Sequence, residues 1–392
     1  MSFSAEEQLL LAVARRDLDE RGVDEVRQLV REPLAWDYVL ATAFSHGLLP
    51  LLHKNLTSAA ADLVPGHVLA KLKRESVANS QTVLHLMGKL LKGYRQLHSC
   101  NVRVAVFKGV VLAHKAYGEV SLRQAGDIDM LIDRQHFAEA RGTLESLGYE
   151  MSPSLTAAQL ESHIASHCEI PFMRDDWFTV IDLHWGLAPR SFVFGLEADE
   201  VMSRLQPVSL AGTTIDTFCD EDMVVYQSMH GAKHLWHRLE WIVSLAELLR
   251  ASPALNWPVV LKRAEDARAT RMLALGLRLV EAFSDVKIET RILESVDSEG
   301  VMKQLAIEMR DQTFKRAHNI GSTQTNFFNF KIMDRKRDAI VSALRAFFVP
   351  TFPDWEALKL PSTLHPLYYA YRPLRLSKSY LWYFLNRGHR RS

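Results

Sequence analysis

Residues 107–132, FKGVVLAHKAYGEVSLRQAGDIDMLI, set the reading of the whole chain. The apolar run Val102 to Phe107 ends in Lys108-Gly109, the pattern of a strand passing into a helix, and Ala125 to Asp133 reads as a second strand. Residues two apart in a strand share a face, so Asp127 and Asp129 point one way while Ile128 and Met130 face the other layer. A further acidic strand follows, in which Val180, Asp182 and His184 share one face and Ile181, Leu183 and Trp185 the other. If these two strands are neighbours, three carboxylates converge. Adjacent anions repel unless a cation bridges them, and hard oxygen ligands suit Mg2+ or Mn2+. Such a cluster can hold two divalent ions about 3.5–4 Å apart, one activating an attacking oxygen and one neutralising leaving phosphates, which is phosphoryl or nucleotidyl transfer. Lys108 and Gly109 complement it with a close backbone approach, free N–H groups at a helix start and a cation.

Outward from this stretch the periodicity divides the chain into four. Residues 1–100 are a helical N-terminal region: Ser4 caps a helix over Ala5 to Leu18, and Trp36 to Leu51 and Ser80 to His98 repeat apolar residues at three and four. Residues 101–218 form a mixed α/β core. It adds a helix over Arg134 to Leu147 ended by Gly148, a strand over Glu169 to Met173, a turn at Arg174-Asp175-Asp176, a strand over Trp177 to Trp185, and a hairpin over Pro207 to Phe218. Residues 219–348 are helical again, broken at Pro253, Pro258 and the polar stretch 318–325. Residues 349–392, rich in proline, aromatics and arginine, wrap the surface.

Composition narrows the class. A length of 392 residues predicts two to three domains at about 150 residues each, and 48% apolar with 24% charged residues excludes disorder as the main state. With 47 Lys and Arg against 46 Asp and Glu, no global field draws the chain to nucleic acid or an anionic membrane. Cys100, Cys168 and Cys219 are scattered without a CxxC pair, which indicates neither a disulfide framework nor a cysteine zinc site and fits a reducing cytosol. The first residues lack signal-peptide features and no uncharged apolar run approaches 18 residues, so the expectation is a soluble, cytoplasmic protein without a transmembrane segment.

FKGVVLAHKAYGEVSLRQAGDIDMLI, VIDLHW (180–185), MHGAKHLWHRLEWIVSLAELL (229–249) and LPSTLHPLYYAYRPLRL (360–376) resemble stand-alone bacterial nucleotidyltransferases of an uncharacterised branch of the polymerase-β superfamily, from about residue 36 to 376. That pattern is a glycine-containing turn after a first strand, Asp-x-Asp on a second and Asp on a third, positions matched by Gly109, Asp127, Asp129 and Asp182. The resemblance implies an α+β fold: a polymerase-β-like mixed sheet core embedded between helical N- and C-terminal regions. It also implies a metal-dependent transfer of an NMP group from an NTP such as ATP, with Arg123 as the branch's usual arginine before the Asp pair. The turn is Lys-Gly rather than Gly-Ser, and Ser244 stands where the family's helix is expected to carry Asp.

Among the remaining candidates, His230, Lys233, His234, His237, Arg238 and Trp241 fall on one stripe if the segment is a continuous helix, a cationic and aromatic face suited to a triphosphate or a base. A metalloprotease reading fails because Gly231 occupies the position of the required glutamate. The substrate-binding set is then Lys108, Gly109, Arg123, His184, His230, Lys233 and Arg238; the catalytic and metal set is Asp127, Asp129 and Asp182. His365 to Ser392 carries Arg372, Arg375, Lys378, Arg387, Arg390 and Arg391 with no acidic residue, and its aromatics favour docking on the body over a free basic tail. The expected acceptor is therefore a small molecule, peptide or protein rather than a long nucleic acid. Two rival functions remain: a nucleotide-binding pseudoenzyme within a biosynthetic assembly, and a nucleotide-sugar-dependent glycosyltransferase using Asp-x-Asp. The latter lacks an upstream doubly wound nucleotide-binding pattern.

Overall fold

A computed structural model describes residues 3–174, 179–314 and 328–387. The turn at Asp175-Asp176, the start of the strand at Trp177, the break at 318–325 and Arg390 and Arg391 lie outside the described residues.

The fold is mixed α/β. Its centre is a five-stranded sheet in the order β1-β2-β5-β4-β3, built from β1 (Val104–Val106), β2 (Ile128–Ile132), β3 (Glu150–Met151), β4 (Glu169–Arg174) and β5 (Thr179–His184). β2 runs parallel to β5 and the other pairings are antiparallel. The hairpin of β6 (Gln206–Leu210) and β7 (Thr213–Thr217) turns through Ala211 and Gly212, both in the left-handed region. Strand alternation separates two environments, as the sequence pattern requires. Val104, Val106, Ile128, Met130, Ile132, Ile181 and Leu183 enter one apolar core, shared with the long helix α5 (Gly66–Ser99). Gly93 of α5 lies so close to β2 that an added Cβ would stand 3.2 Å from the Met130 methyl, so the helix rests directly on the strand carrying the aspartates.

The opposite face carries Ala105, Phe107 and Leu131 with Asp129, Asp182 and His184, and it meets the second core. That core joins the N-terminal helices α1 (Ala5–Ala12), α2 (Glu20–Val30), α3 (Trp36–Ser45) and α4 (Leu49–Ala59) to the C-terminal ones. The latter include α10 (Asp220–Lys233), α11 (Leu239–Ala251), α12 (Trp257–Asp266) and α13 (Thr270–Phe283). Here α6 (Gly109–Tyr117), α7 (Phe137–Ser146), α8 (Ala157–Ser166) and α9 (Ala198–Met202) belong to the central region.

Several helix boundaries differ from the sequence expectation; the helix expected from Arg134 begins at Phe137, after a 3-10 turn over Arg134–His136. The first helix ends at Ala12 rather than Leu18, and Trp36 to Leu51 is two helices because Gly47 takes a positive φ of 75° against the side chains of Arg238 and Glu240, where a Cβ has no room. Pro258 opens α12 near its first position rather than breaking a helix, where its missing N–H costs nothing. The segment after 349 is helical over Phe352–Ala357 and Tyr368–Arg387. Within it Arg372 and Arg375 both donate to the buried carboxylate of Asp354, at 2.7 and 2.6 Å, and Arg372 also donates to the Ala346 carbonyl of the preceding helix.

Candidate active site

The register of the parallel pair places Asp129 directly beside Asp182, and Asp127 precedes β2 by one residue. Lys108 caps the start of α6 and turns back so that its Nζ donates to Asp129 Oδ1 at 2.7 Å. Gly109 follows with φ +50°, and a Cβ there would stand 3.3 Å from the Asp127 carbonyl oxygen; the left-handed conformation and this close approach both call for glycine. On the far side of Asp129, His184 Nε2 donates to the same Oδ1 at 2.9 Å. The antiparallel register of β4 and β5 then sets Glu169 opposite His184, with Oε2 3.0 Å from His184 Nδ1. Phe107 makes the floor, stacked on Phe218 at 4.6 Å and edge-on to His184 and to Tyr226 of α10.

The charges are unequal in their company. Burial would raise the Asp129 carboxyl, but Lys108 and His184 outweigh it and hold the group well below the usual carboxylate range. Burial likewise opposes the charge on His184, and the Glu169 carboxylate reverses the sign, raising the imidazole. The Asp127 and Asp182 side chains have no hydrogen bond or ion pair among the described residues. Burial and the Asp129 charge raise both, Asp182 to about 7. Asp127 is nonetheless open to solvent and Asp182 partly so, so a ligand can reach them. Two unpartnered carboxylates flanking a buried third form an oxygen donor set with uncompensated negative charge, and this fits a hard divalent cation. The sequence spacing predicts that the side-chain oxygens of Asp127, Asp129 and Asp182 converge, but they do not come within 4.8 Å of one another; the trio of potential ligands among the described residues that does is Cys168, Glu169 and His184.

The stripe expected over 230–241 is not one helix. α10 stops at Lys233, Leu235 and Trp236 take positive φ of 55° and 48°, and α11 begins at Leu239. Tertiary packing overrides the helical pattern: the Trp236 ring folds back over Gly231, where a Cβ would stand 2.5 Å from it. The face is also less cationic than expected. Burial, then Lys108, hold His230 well below the imidazole range, and burial with Lys233 lowers His234 to about 3, so both rings are neutral at pH 7. His230, His234 and His237 still gather around Trp241, at 5.5, 5.4 and 4.6 Å between centroids. His230 and Lys233 face the sheet, where Lys233 acts on Glu169. Arg123 and Arg238 are both paired with the buried Glu240, at 2.7 and 2.8 Å, and the Arg123 charge also acts on Asp127. Ser244 is a packing residue whose hydroxyl meets the Tyr117 hydroxyl at 3.1 Å.

Sequence reasoning missed Glu169 and Tyr226. Glu169 opens a strand that was legible, but its contact with His184 depends on the register of β4 against β5. Tyr226, one helical turn before His230, lies with its ring 5.8 Å from the Lys108 ammonium.

The mixed sheet presents Asp-x-Asp beside a third aspartate, with a Lys-Gly helix start next to them. Residues 32–285, well over half of the chain, match a family described as uncharacterised nucleotidyltransferase, and the protein belongs to that family, which places the chain among enzymes of the nucleotidyltransferase class. No curated protein and no solved structure matches the chain. No helix among the described residues is long and apolar enough to cross a membrane.

Proposed function

We propose that the enzyme moves an NMP group from an NTP to a compact acceptor, with Asp127, Asp129 and Asp182 holding Mg2+ or Mn2+. The observation that carries this reading is the pair of unpartnered carboxylates, Asp127 and Asp182, on either side of Asp129. When bound, the cation neutralises phosphate charge and acidifies the acceptor hydroxyl. Lys108 and the first N–H groups of α6 face the non-transferred phosphates, and Gly109 keeps the backbone low enough for them to approach. His184 orients Asp129. Asp182, on the strand beside Asp129, takes the acceptor proton. His230 and Lys233 close the opposite wall from α10. Arg123 and Arg238 brace that wall through Glu240. The polymerase-β-like arrangement belongs to the same proposal, supported by the Asp-x-Asp strand running parallel to the strand of the third aspartate.

A compact acceptor is favoured over a nucleic acid because the net charge is +1 and because Arg372 and Arg375 of the basic C-terminal segment are engaged by Asp354. Incubation with each of four labelled NTPs, Mg2+ or Mn2+, and cell extract should transfer label to a small molecule, peptide or protein. Label found only in RNA, or no transfer with any NTP, would overturn the reading.

A further inference from the structure

We propose that Cys168, Glu169 and His184 form a second metal site, selective for a thiophilic divalent cation of the Zn2+ class and separate from the aspartate cluster. The three residues meet where β4 and β5 pair. Cys168 precedes the first residue of β4, its carbonyl accepts from the Trp185 and Gly186 amides, and Gly186 leaves room for its side chain, since a Cβ there would stand 3.3 Å from that of Cys168. The Cys168 Sγ lies 3.8 Å from Glu169 Oε2, and His184 Nδ1 lies 3.0 Å from the same oxygen. Tetrahedral coordination at ordinary zinc bond lengths separates sulfur from oxygen by about 3.6 Å and nitrogen from oxygen by about 3.4 Å. These two spacings match the corresponding edges of such a tetrahedron to within about 0.4 Å, and all three donor atoms lie within 4.8 Å of one another.

A second observation points the same way. The His184 ring is buried, and its Nδ1 lies 3.0 Å from Glu169 Oε2 without forming an aligned hydrogen bond. A buried ring nitrogen rarely goes without a partner, and a cation between the three donor atoms supplies one. The other ring nitrogen already does what is usual in a metal-bound histidine, donating its N–H to a carboxylate, here Asp129. Thiolate, imidazole and one carboxylate form a softer set than three carboxylates, which separates this site from the Mg2+ site by chemistry. The Glu169 side chain is 39% exposed and leaves an entry path and a fourth position for water. Binding releases the Cys168 thiol proton and the Nδ1 proton to solvent, leaving thiolate and carboxylate to balance the dication.

The site stands independently of the transfer reaction, and its test does not use activity. Metal-free protein in excess Mg2+ is titrated with Co2+, whose bond to a thiolate gives a near-ultraviolet charge-transfer absorption that carboxylates cannot produce. The expected result is one equivalent of such absorption, displaced by one equivalent of Zn2+. It should be lost in Cys168→Ser and kept in Cys100→Ser and in the Asp127→Asn/Asp182→Asn double variant. Glu169→Gln, at a partly exposed position that the fold tolerates, should weaken Co2+ binding about tenfold or more. No charge-transfer band in the wild type, a band that survives Cys168→Ser, or unchanged affinity in Glu169→Gln would overturn the proposal.

Discussion

Two buried carboxylates in this protein, each 3% exposed, are each held by two basic groups, and they end differently. Glu240 takes Arg123 on one oxygen and Arg238 on the other, and Arg238 also donates to Gln124. That cluster is closed. Asp129 takes Lys108 and His184 on a single oxygen, and its neighbours Asp127 and Asp182 have no partner among the described residues. That cluster is open. In the first both carboxylate oxygens are paired and the surplus is one positive charge, with Arg123 Nε and Arg238 Nε left without a hydrogen-bond partner; in the second two carboxylates are unpaired and their negative charge is left for a ligand to compensate. The cations that looked alike in sequence, Lys108, Arg123 and Arg238, divide between the two.

The comparison would break first at Glu240. Its loss leaves two arginines without a counter-charge, so Glu240→Ala should destabilise the protein by about 3–5 kcal/mol in urea unfolding. A change under about 1 kcal/mol would show that the closed cluster is not structural. Asp127→Asn should behave in the opposite way, lowering turnover at least about a hundredfold while leaving the unfolding midpoint unchanged or higher, because repulsion is relieved. A stability loss with retained transfer would make the open cluster structural instead.

A pH series sharpens the contrast. The Asp182 carboxyl stands at about 7 when folded and near the ordinary value of 3.8 when unfolded. Between those values the native state holds the extra proton, so this group makes stability fall as pH rises from about 4 to about 7. His234, lowered to about 3, acts with the opposite sign below the ordinary imidazole value. The measurement is therefore the difference between wild type and Asp182→Asn in metal-free buffer. The variant should lack the decline, and added Mg2+ should remove it from the wild type; parallel curves would exclude Asp182 as its source. The smallest effect is expected at Arg238, which is 32% exposed and shares Glu240 with Arg123, so Arg238→Ala should cost less than about 1 kcal/mol. A larger loss would show that the two arginines are not interchangeable in holding Glu240.

The sheet face was legible because strand alternation is a local rule: Asp127, Asp129, Asp182 and His184 could be assigned to one side from spacing alone. Gly109 was legible for a similar reason, since a strand-to-helix turn next to an acidic strand needs its backbone freedom. The partners of the cations were not. Nothing in the spacing of Arg123, 117 residues before Glu240, foretells their meeting. The break after Lys233 was hidden too, because helical periodicity continues through Leu235 and Trp236. What ends the helix is the fit of one indole over Gly231, a tertiary contact. The scattered cysteines showed no metal pattern because the trio around Cys168 is assembled by strand register rather than by spacing.

The apolar core that joins residues 9–72 to residues 187–339 has a consequence during synthesis. At roughly 5–20 residues per second, the opening helices leave the ribosome on the order of ten seconds or more before the C-terminal residues that complete their core. Leu9, Leu10, Val26, Leu52 and Leu56 then have only the neighbouring N-terminal helices and the apolar residues of 105–131 to pack against. The nascent chain has an early half that must be kept from aggregating and a late half that completes it. A ribosome stalled before about residue 187 should therefore present this protein to chaperones as a client, while one stalled after about residue 339 should not.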